Sequence, residues 1–164
     1  MTAEAEFDKL YRAHYLPVLK YVERRLSDAD LAQDVAAECF IVAWRKFDPT
    51  DPFPLVWLYQ TARNLIGNTY RSRRKEQQLL ALLRSEAKVN SAPVETAIIA
   101  EVLSDLNEKD REALRLTYWE QLPAADVAVV LGCSEQAAWK RISRAKAALR
   151  AALRESSESR GGVQ

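Results

Sequence analysis

Gly132 is the residue that most restricts how this chain can fold, because it stands between two stretches that each read as a short amphipathic helix. Residues 121–150 run QLPAADVAVVLGCSEQAAWKRISRAKAALR. Pro123 suits a first helical position, where its missing N–H removes no bond. Val127, Ala128 and Leu131 then share one face, and Gly132 follows where a helix end wants a residue tolerant of φ > 0. Cys133 is a small apolar plug, and Ser134 can accept a bond from the free N–H groups of the next helix. That helix places Ala138, Ile142, Ala145 and Leu149 at steps of four, three and four. Two short helices joined by a tight glycine-containing turn form a helix-turn-helix candidate.

The opposite face of the second helix carries Gln136, Trp139, Lys140, Arg141 and Arg144. A cationic face behind a well-defined apolar one fits a reader of phosphates and base edges. A charged face on an ordinary bundle helix has the same composition. The Pro, Gly and Ser punctuation favours DNA.

At 164 residues the chain holds one domain or two small ones, and 48% apolar content suffices for a core. With 4 Gly and 6 Pro it has too few turn formers for an all-β protein. No apolar run reaches the length of a membrane span, and acidic residues follow Met1 in place of a basic, apolar leader. Cys39 and Cys133 sit inside apolar patterns without ligand partners nearby, so no metal, cofactor or disulfide framework is expected. A reduced, cytoplasmic setting fits best. The net charge of +1 conceals a pattern. Residues 1–60 hold 7 basic and 10 acidic side chains, 61–88 hold 7 and 2, 89–134 hold 3 and 8, and 135–164 hold 7 and 3. Two basic segments each follow a more acidic helical block, as two DNA-contacting modules with separate scaffolds would.

From the N-terminus, Phe7, Leu10, Tyr11, His14, Val18 and Val22 predict a helix over 4–26, kinked or split at Pro17. His14, the single histidine, lies on the apolar stripe and is expected to pack. Asp28 and Asp30 offer caps for a helix over 31–47 that buries Leu31, Val35, Phe40, Ala43, Trp44 and Phe47. Asp34, Glu38, Ile41 and Arg45 lie on its other side, where an exposed Ile between carboxylates hints at a protein interface. The run DPTDPFP, residues 48–54, cannot continue a helix and presents Phe53 on a rigid loop. A helix over 55–74 follows, burying Leu58, Ala62 and Leu65. It shows Trp57, Arg63, Asn64, Asn68, Arg71, Arg73 and Arg74, a mixture that suits single-strand capture by stacking and backbone contacts. Residues 75–93 read as a linker in which Leu79, Leu80, Leu82 and Leu83 could form a short helix. Helices over 94–106 and 108–120, with Asn107 as the cap between them, would scaffold the helix-turn-helix. The tail over 155–164 reads as disordered.

Taken together, FDKLYRAHY, DLAQDVAAECFIVAW, FPLVWLYQTARN, LNEKDREALRL and VAVVLGCSEQAAWKRISRAK resemble a bacterial RNA polymerase sigma factor of the sigma-70 family. The short two-domain layout resembles the extracytoplasmic-function (ECF) group. The resemblance implies an all-α chain of two small helical domains, a region 2 bundle over 1–74 and a region 4 helix-turn-helix over 94–154, joined by a flexible linker. It implies core RNA polymerase and promoter DNA as partners, with an anti-sigma protein as a further candidate. The positions Leu31, Asp34, Val35, Glu38 and Ile41 correspond to the polymerase-docking surface. Phe53, Trp57, Arg63, Asn64, Asn68, Arg71 and Arg74 correspond to the part that opens and holds the −10 element. Ser134, Glu135, Gln136, Trp139, Lys140, Arg141 and Arg144 correspond to the helix that reads the −35 element. The sequence departs from the family at Ala37, where Gln is frequent, and at Gly67 and Asn68, where an apolar residue and Asp are common. Trp139 and Lys140 replace a basic-then-small pair.

The expected function is therefore promoter-specific initiation without intrinsic catalysis, since no P-loop, metal cluster or Ser/Cys–His constellation is present in the sequence. A stand-alone helix-turn-helix regulator would not need the features of residues 28–74. A helical adaptor that binds only protein would not need the two basic segments.

Overall fold

A computed structural model describes residues 2–52, 54–81 and 101–161, with side chains described except at 73–81, 156, 157 and 159–161. The regular elements among the described residues are all helices, and the chain falls into two compact units, residues 1–86 and 87–164.

In the first unit, α1 (Ala3–Glu23), α2 (Ala29–Arg45) and α3 (Leu55–Ala81) pack against one another in all three pairings. Thr2 caps α1 by accepting from the Ala5 N–H at 3.2 Å, and Asp28 caps α2 by accepting from Asp30 and Leu31 at 3.1 Å. Of the kink or split expected at Pro17, the split does not occur: α1 runs through it as one helix. Proline removes one intrahelical bond there, while Leu10, Val18, Tyr21 and Val22 on either side are buried and hold the helix by packing. The core is completed by Ala32, Val35, Ala36, Cys39, Phe40 and Ala43 of α2 and by Leu58, Tyr59, Ala62 and Ile66 of α3. Ile66 takes the deep position expected for Leu65, which is half-buried.

Two features fasten the ends of this unit. Arg25 is buried, donates to the Tyr21 carbonyl at 3.0 Å and lies 3.6 Å over the Tyr21 ring, which itself stacks on Tyr59. Tyr70 of α3 donates to the Arg25 carbonyl at 2.5 Å, tying α3 to the α1–α2 connection. The Cys39 thiol donates to the Leu58 carbonyl at 3.4 Å, and burial pushes its pKa up to about 12, so it stays protonated at neutral pH. His14 is half-buried and desolvation lowers its pKa, which fits the packing role expected of it.

Trp44, expected inside, is 45% exposed, because α2 ends at Arg45 and the ring lies edge-on to Phe7 at 5.0 Å on the outside of the bundle. Residues 75–81 of the expected linker over 75–93 are helical, since α3 continues to Ala81 with no Pro or Gly after Gly67 to stop it, and residues 82–93 lie outside the described residues. Leu79 and Leu80 therefore belong to α3, while Leu82 and Leu83 lie outside the described residues.

In the second unit, residues 101–105 are helical and are followed by α4 (Glu108–Tyr118), α5 (Ala124–Leu131) and α6 (Glu135–Gly161). Asn107 caps α4, accepting from the Asp110 N–H at 2.8 Å. Arg111 donates to the Leu103 and Leu106 carbonyls at 2.7 and 3.0 Å, closing the preceding helix end. Gly132 adopts φ 67°, and the N–H groups of Gly132 and Cys133 reach the Val129 and Ala128 carbonyls, the paired bonds of a glycine-terminated helix. Ser134 then accepts from the Ala137 N–H at 3.1 Å and starts α6. Pro123 is the cap of α5, one position before the helical one expected for it, and its φ of −67° suits either place. The tail expected to be disordered continues α6 through Gly161. Nothing between Arg150 and Ser159 breaks a helix, and Arg154 and Glu158 have the spacing that supports one.

Gly67 sits in mid-α3 with nothing within 4 Å of where a Cβ would lie. Gly67→Ala is therefore expected to stabilise the first unit by about 1 kcal/mol, measured as a raised urea midpoint. An unchanged or lowered midpoint would show that the open space is not available to a methyl group.

Candidate nucleic-acid and polymerase interfaces

Three exposed stripes of different chemistry carry most of the residues singled out in the sequence. On α2, Asp34, Glu38, Ile41 and Arg45 recur at steps of four, three and four and are all exposed, Ile41 at 51%. Leu31 is half-buried at the edge of this stripe. Val35 is 3% exposed and belongs to the core, one residue round the helix from the outward-facing Asp34. It supports the stripe from beneath and cannot be part of a docking surface.

On α3, Trp57, Asn64, Asn68 and Arg71 recur at steps of seven, four and three and share a second stripe. Asn64, Asn68 and Arg71 are exposed, and Arg71 donates to the Asn68 side-chain oxygen. Trp57 is half-buried. Arg63 is half-buried on the neighbouring stripe with Gly67 and Arg74; the Arg74 side chain lies outside the described residues. The loop before α3 is tied at its start by Asp48, whose Oδ1 accepts from the Thr50 N–H at 2.9 Å and hydroxyl at 2.6 Å. These two bonds hold the Asp48 carboxyl below the usual carboxylate range. Phe53 lies outside the described residues.

On α6, Gln136, Lys140 and Arg144 are exposed and run along the helix, with Trp139 beside them at 55% exposure. Ala138, Ile142 and Ala145 are buried on the other side and fix the rotation of α6. Ser134 and Glu135 are exposed at its start, Ser134 as the cap and Glu135 where the helix dipole favours an acid. Arg141 lies on the flank, its side chain 21% exposed, with Nη1 3.4 Å from Asp110 Oδ1. Arg144 Nη2 reaches the same oxygen at 3.4 Å while its side chain stays 62% exposed. Asn107 Nδ2 donates to Asp110 Oδ2 at 3.1 Å, so both carboxylate oxygens are engaged. Asp110 itself is 4% exposed.

The sequence did not single out Asp110. Its third position after the Asn107 cap in LNEKDRE marks it as a capping-box acid. The pairing with arginines 31 and 34 residues further on is a tertiary fact without a local signal.

Comparison with known proteins locates the two units. Residues 10–76 match the family described as Sigma-70 region 2, and residues 96–149 match Sigma-70, region 4. The RNA polymerase sigma factor CnrH of Cupriavidus metallidurans is 34% identical over 143 residues, which cover 76% of this chain and 74% of that protein. The ECF RNA polymerase sigma factor SigL of Mycobacterium tuberculosis is 29% identical over 155 residues, covering 89% and 88%. Among solved structures, CnrH in complex with the cytosolic domain of CnrY superposes with a TM-score of 0.62 at 29% identity, covering 91% of this chain and 88% of that one. The sigma factor RpoE in complex with the anti-sigma factor NepR from Bartonella quintana gives 0.66 at 22% identity over 90% and 96%, a likeness of fold.

The two central cations of α6 differ in role by this geometry. Arg141→Ala removes a largely buried partner of Asp110 and is expected to cost about 1–2 kcal/mol in stability. Lys140→Ala, at an exposed position, is expected to change stability by less than about 0.5 kcal/mol. Chemical denaturation of both variants checks this, and equal midpoints would place Arg141 outside the fold's support.

Proposed function

We propose a division of labour between the two units of this chain, which belongs to the sigma-70 family of RNA polymerase sigma factors, in its ECF group. The first unit docks on core polymerase through the α2 stripe and holds the opened −10 strand along α3, and the second reads −35 duplex DNA with α6. As a sigma factor the chain directs transcription initiation, with core RNA polymerase and promoter DNA as its partners. The observation that carries the division is the segregation of exposed side chains: acidic and apolar on α2, amide and arginine on α3, aromatic and cationic on α6.

Each chemistry fits its assigned partner. An exposed Ile41 flanked by Asp34 and Glu38 supplies an apolar anchor inside a charged surround, the arrangement that gives a protein interface both affinity and register. Along α3 the amides of Asn64 and Asn68 can donate to and accept from unpaired base edges, and Arg71 is held by Asn68 where it can follow the sugar-phosphate chain. Base stacking on an aromatic contributes about 1–3 kcal/mol per base, comparable with the few kcal/mol that unpairing costs. Trp57 and Phe53 are the aromatics proposed for that task. On α6, Gln136 and Lys140 face the groove, Arg144 approaches from the flank, and Trp139 offers a broad apolar surface to a thymine methyl or a sugar.

The proposed role is non-catalytic: binding energy separates the strands and the polymerase performs phosphodiester chemistry. Among the described residues no helix is long and apolar enough to cross a membrane. The proposal places the protein in the cytoplasm, with the polymerase. An anti-sigma protein is a third proposed partner, by likeness to CnrH, which was solved with the cytosolic domain of CnrY. A stand-alone operator binder is set aside because residues 10–76 match region 2.

The test is the affinity of the purified chain for core RNA polymerase, alongside Ile41→Arg and Glu38→Arg. Both changes sit at exposed positions, so the fold should tolerate them. Ile41→Arg is expected to weaken binding at least about tenfold, the effect of losing a central anchor, and to abolish initiation on promoter DNA. Unchanged core affinity in both variants would remove α2 from the docking surface.

A further inference from the structure

The buried acid beneath the reader helix is the group that the proposed function leaves unexplained. Asp110 belongs to α4, yet its side chain, 6% exposed, meets two arginines of α6 through a single oxygen. We propose that Asp110 is a positioning residue for −35 recognition: it pre-orders Arg144 at the edge of the DNA-reading face. This inference rests on α6 being that face.

Three features of the geometry support it. First, Asp110 is itself fixed, since its backbone N–H donates to Asn107 Oδ1 at 2.8 Å and its Oδ2 accepts from Asn107 Nδ2 at 3.1 Å. Second, the two arginines share Oδ1 unequally in exposure, the Arg141 side chain being 21% exposed and that of Arg144 62%. Third, Arg144 touches Oδ1 at one nitrogen and at 3.4 Å, a loose contact. A guanidinium has five N–H donors in a fixed plane, so one contact to the protein leaves the others for phosphate or a guanine edge. Two guanidinium groups against one carboxylate also leave the cluster net positive. The acid thus orders the arginine without cancelling its attraction for DNA.

The sign of the expected effect separates positioning from plain electrostatics. Removing a negative charge near a DNA-binding face strengthens binding to any duplex. Removing a positioning group weakens binding to the correct duplex, because the freed arginine must be immobilised on association. Asp110→Asn should therefore raise affinity for unrelated DNA while lowering it for the preferred site.

The experiment uses holoenzyme reconstituted from core polymerase and the full chain. A duplex is selected from a random-sequence pool by the unmodified holoenzyme, and binding is compared with that of an unrelated duplex of equal length. Asp110→Asn is expected to lower the ratio of selected to unrelated binding about tenfold, the scale of one ordered guanidinium contact. In an Arg144→Gln background the same change should alter the ratio by less than about twofold, since coupled sites lose their effect together. A ratio that Asp110→Asn leaves unchanged or raises would overturn the proposal, and so would an equal loss in both backgrounds. If Asp110→Asn lacks the helical circular dichroism of the parent, Asp110→Glu keeps the charge, displaces it by one methylene, and carries the same cycle. Failure of the unmodified holoenzyme to select any common duplex would overturn the −35 assignment itself, and the inference with it, before a variant is made.

Discussion

The turn at Gly132 and Cys133 sets the direction of α6, and the second unit's proposed function depends on that direction. Two carbonyls at the end of α5 are satisfied by consecutive N–H groups, and this requires the left-handed backbone that glycine adopts freely. Ser134 then restarts the chain as a helix within two residues. With so short a connection, α5 and α6 have little freedom in their crossing. Val127, Ala128, Val130 and Leu131 on one side, and Ala138, Ile142 and Ala145 on the other, then select the rotation that buries them. That rotation is what leaves Gln136, Lys140 and Trp139 facing outward. The exposed face follows from the buried one.

The first unit works by the same logic with a longer lever. The core residues of α3 fix one side of that helix, so Trp57, Asn64, Asn68 and Arg71 form a stripe whose direction the bundle dictates. Tyr70 pins the helix to the α1–α2 connection at the Arg25 carbonyl, within the same turns that carry Asn68 and Arg71. Polar side chains there can meet a nucleic acid without the helix itself having to be ordered on binding, which lowers the entropic cost of the contact. Gly67 is the exception in this region, a residue that weakens the helix without a local packing reason.

The helices, their caps and the two-unit division were legible because each rests on local chemistry. Asn107, Asp28, Gly132 and Ser134 announce helix ends through the free N–H and carbonyl groups they satisfy, and the structure bears out all four. Errors arose where packing or continuity overrode a local cue. Pro17 signals a kink or a split, yet the buried residues around it keep α1 a single helix. The Ser-rich tail and the segment after Arg74 lack apolar periodicity, yet α3 and α6 propagate into them because extending an existing helix needs no new nucleus. Trp44 shows the limit of periodicity on α2. A position near the boundary of the apolar stripe is assigned inside or out by its neighbours' bulk, and Trp44 is drawn outward to the rings of Phe7 and Phe47.

The arginines of α6 illustrate a deeper limit. In sequence, Lys140, Arg141 and Arg144 are three equivalent cations. In the structure they differ by what lies behind them: Lys140 faces outward, Arg141 is turned against a buried acid, and Arg144 stands between the two environments. Removing a partner from a buried charge is costly, so Arg141 and Asp110 constrain each other within the fold. A surface that reads DNA through flexible cations gains affinity and little discrimination, since a long side chain can find some phosphate on any sequence. Discrimination needs donors held at fixed positions. The role proposed for Asp110 is to supply that fixity at the cost of one unit of attractive charge, which the other cations of α6 would offset.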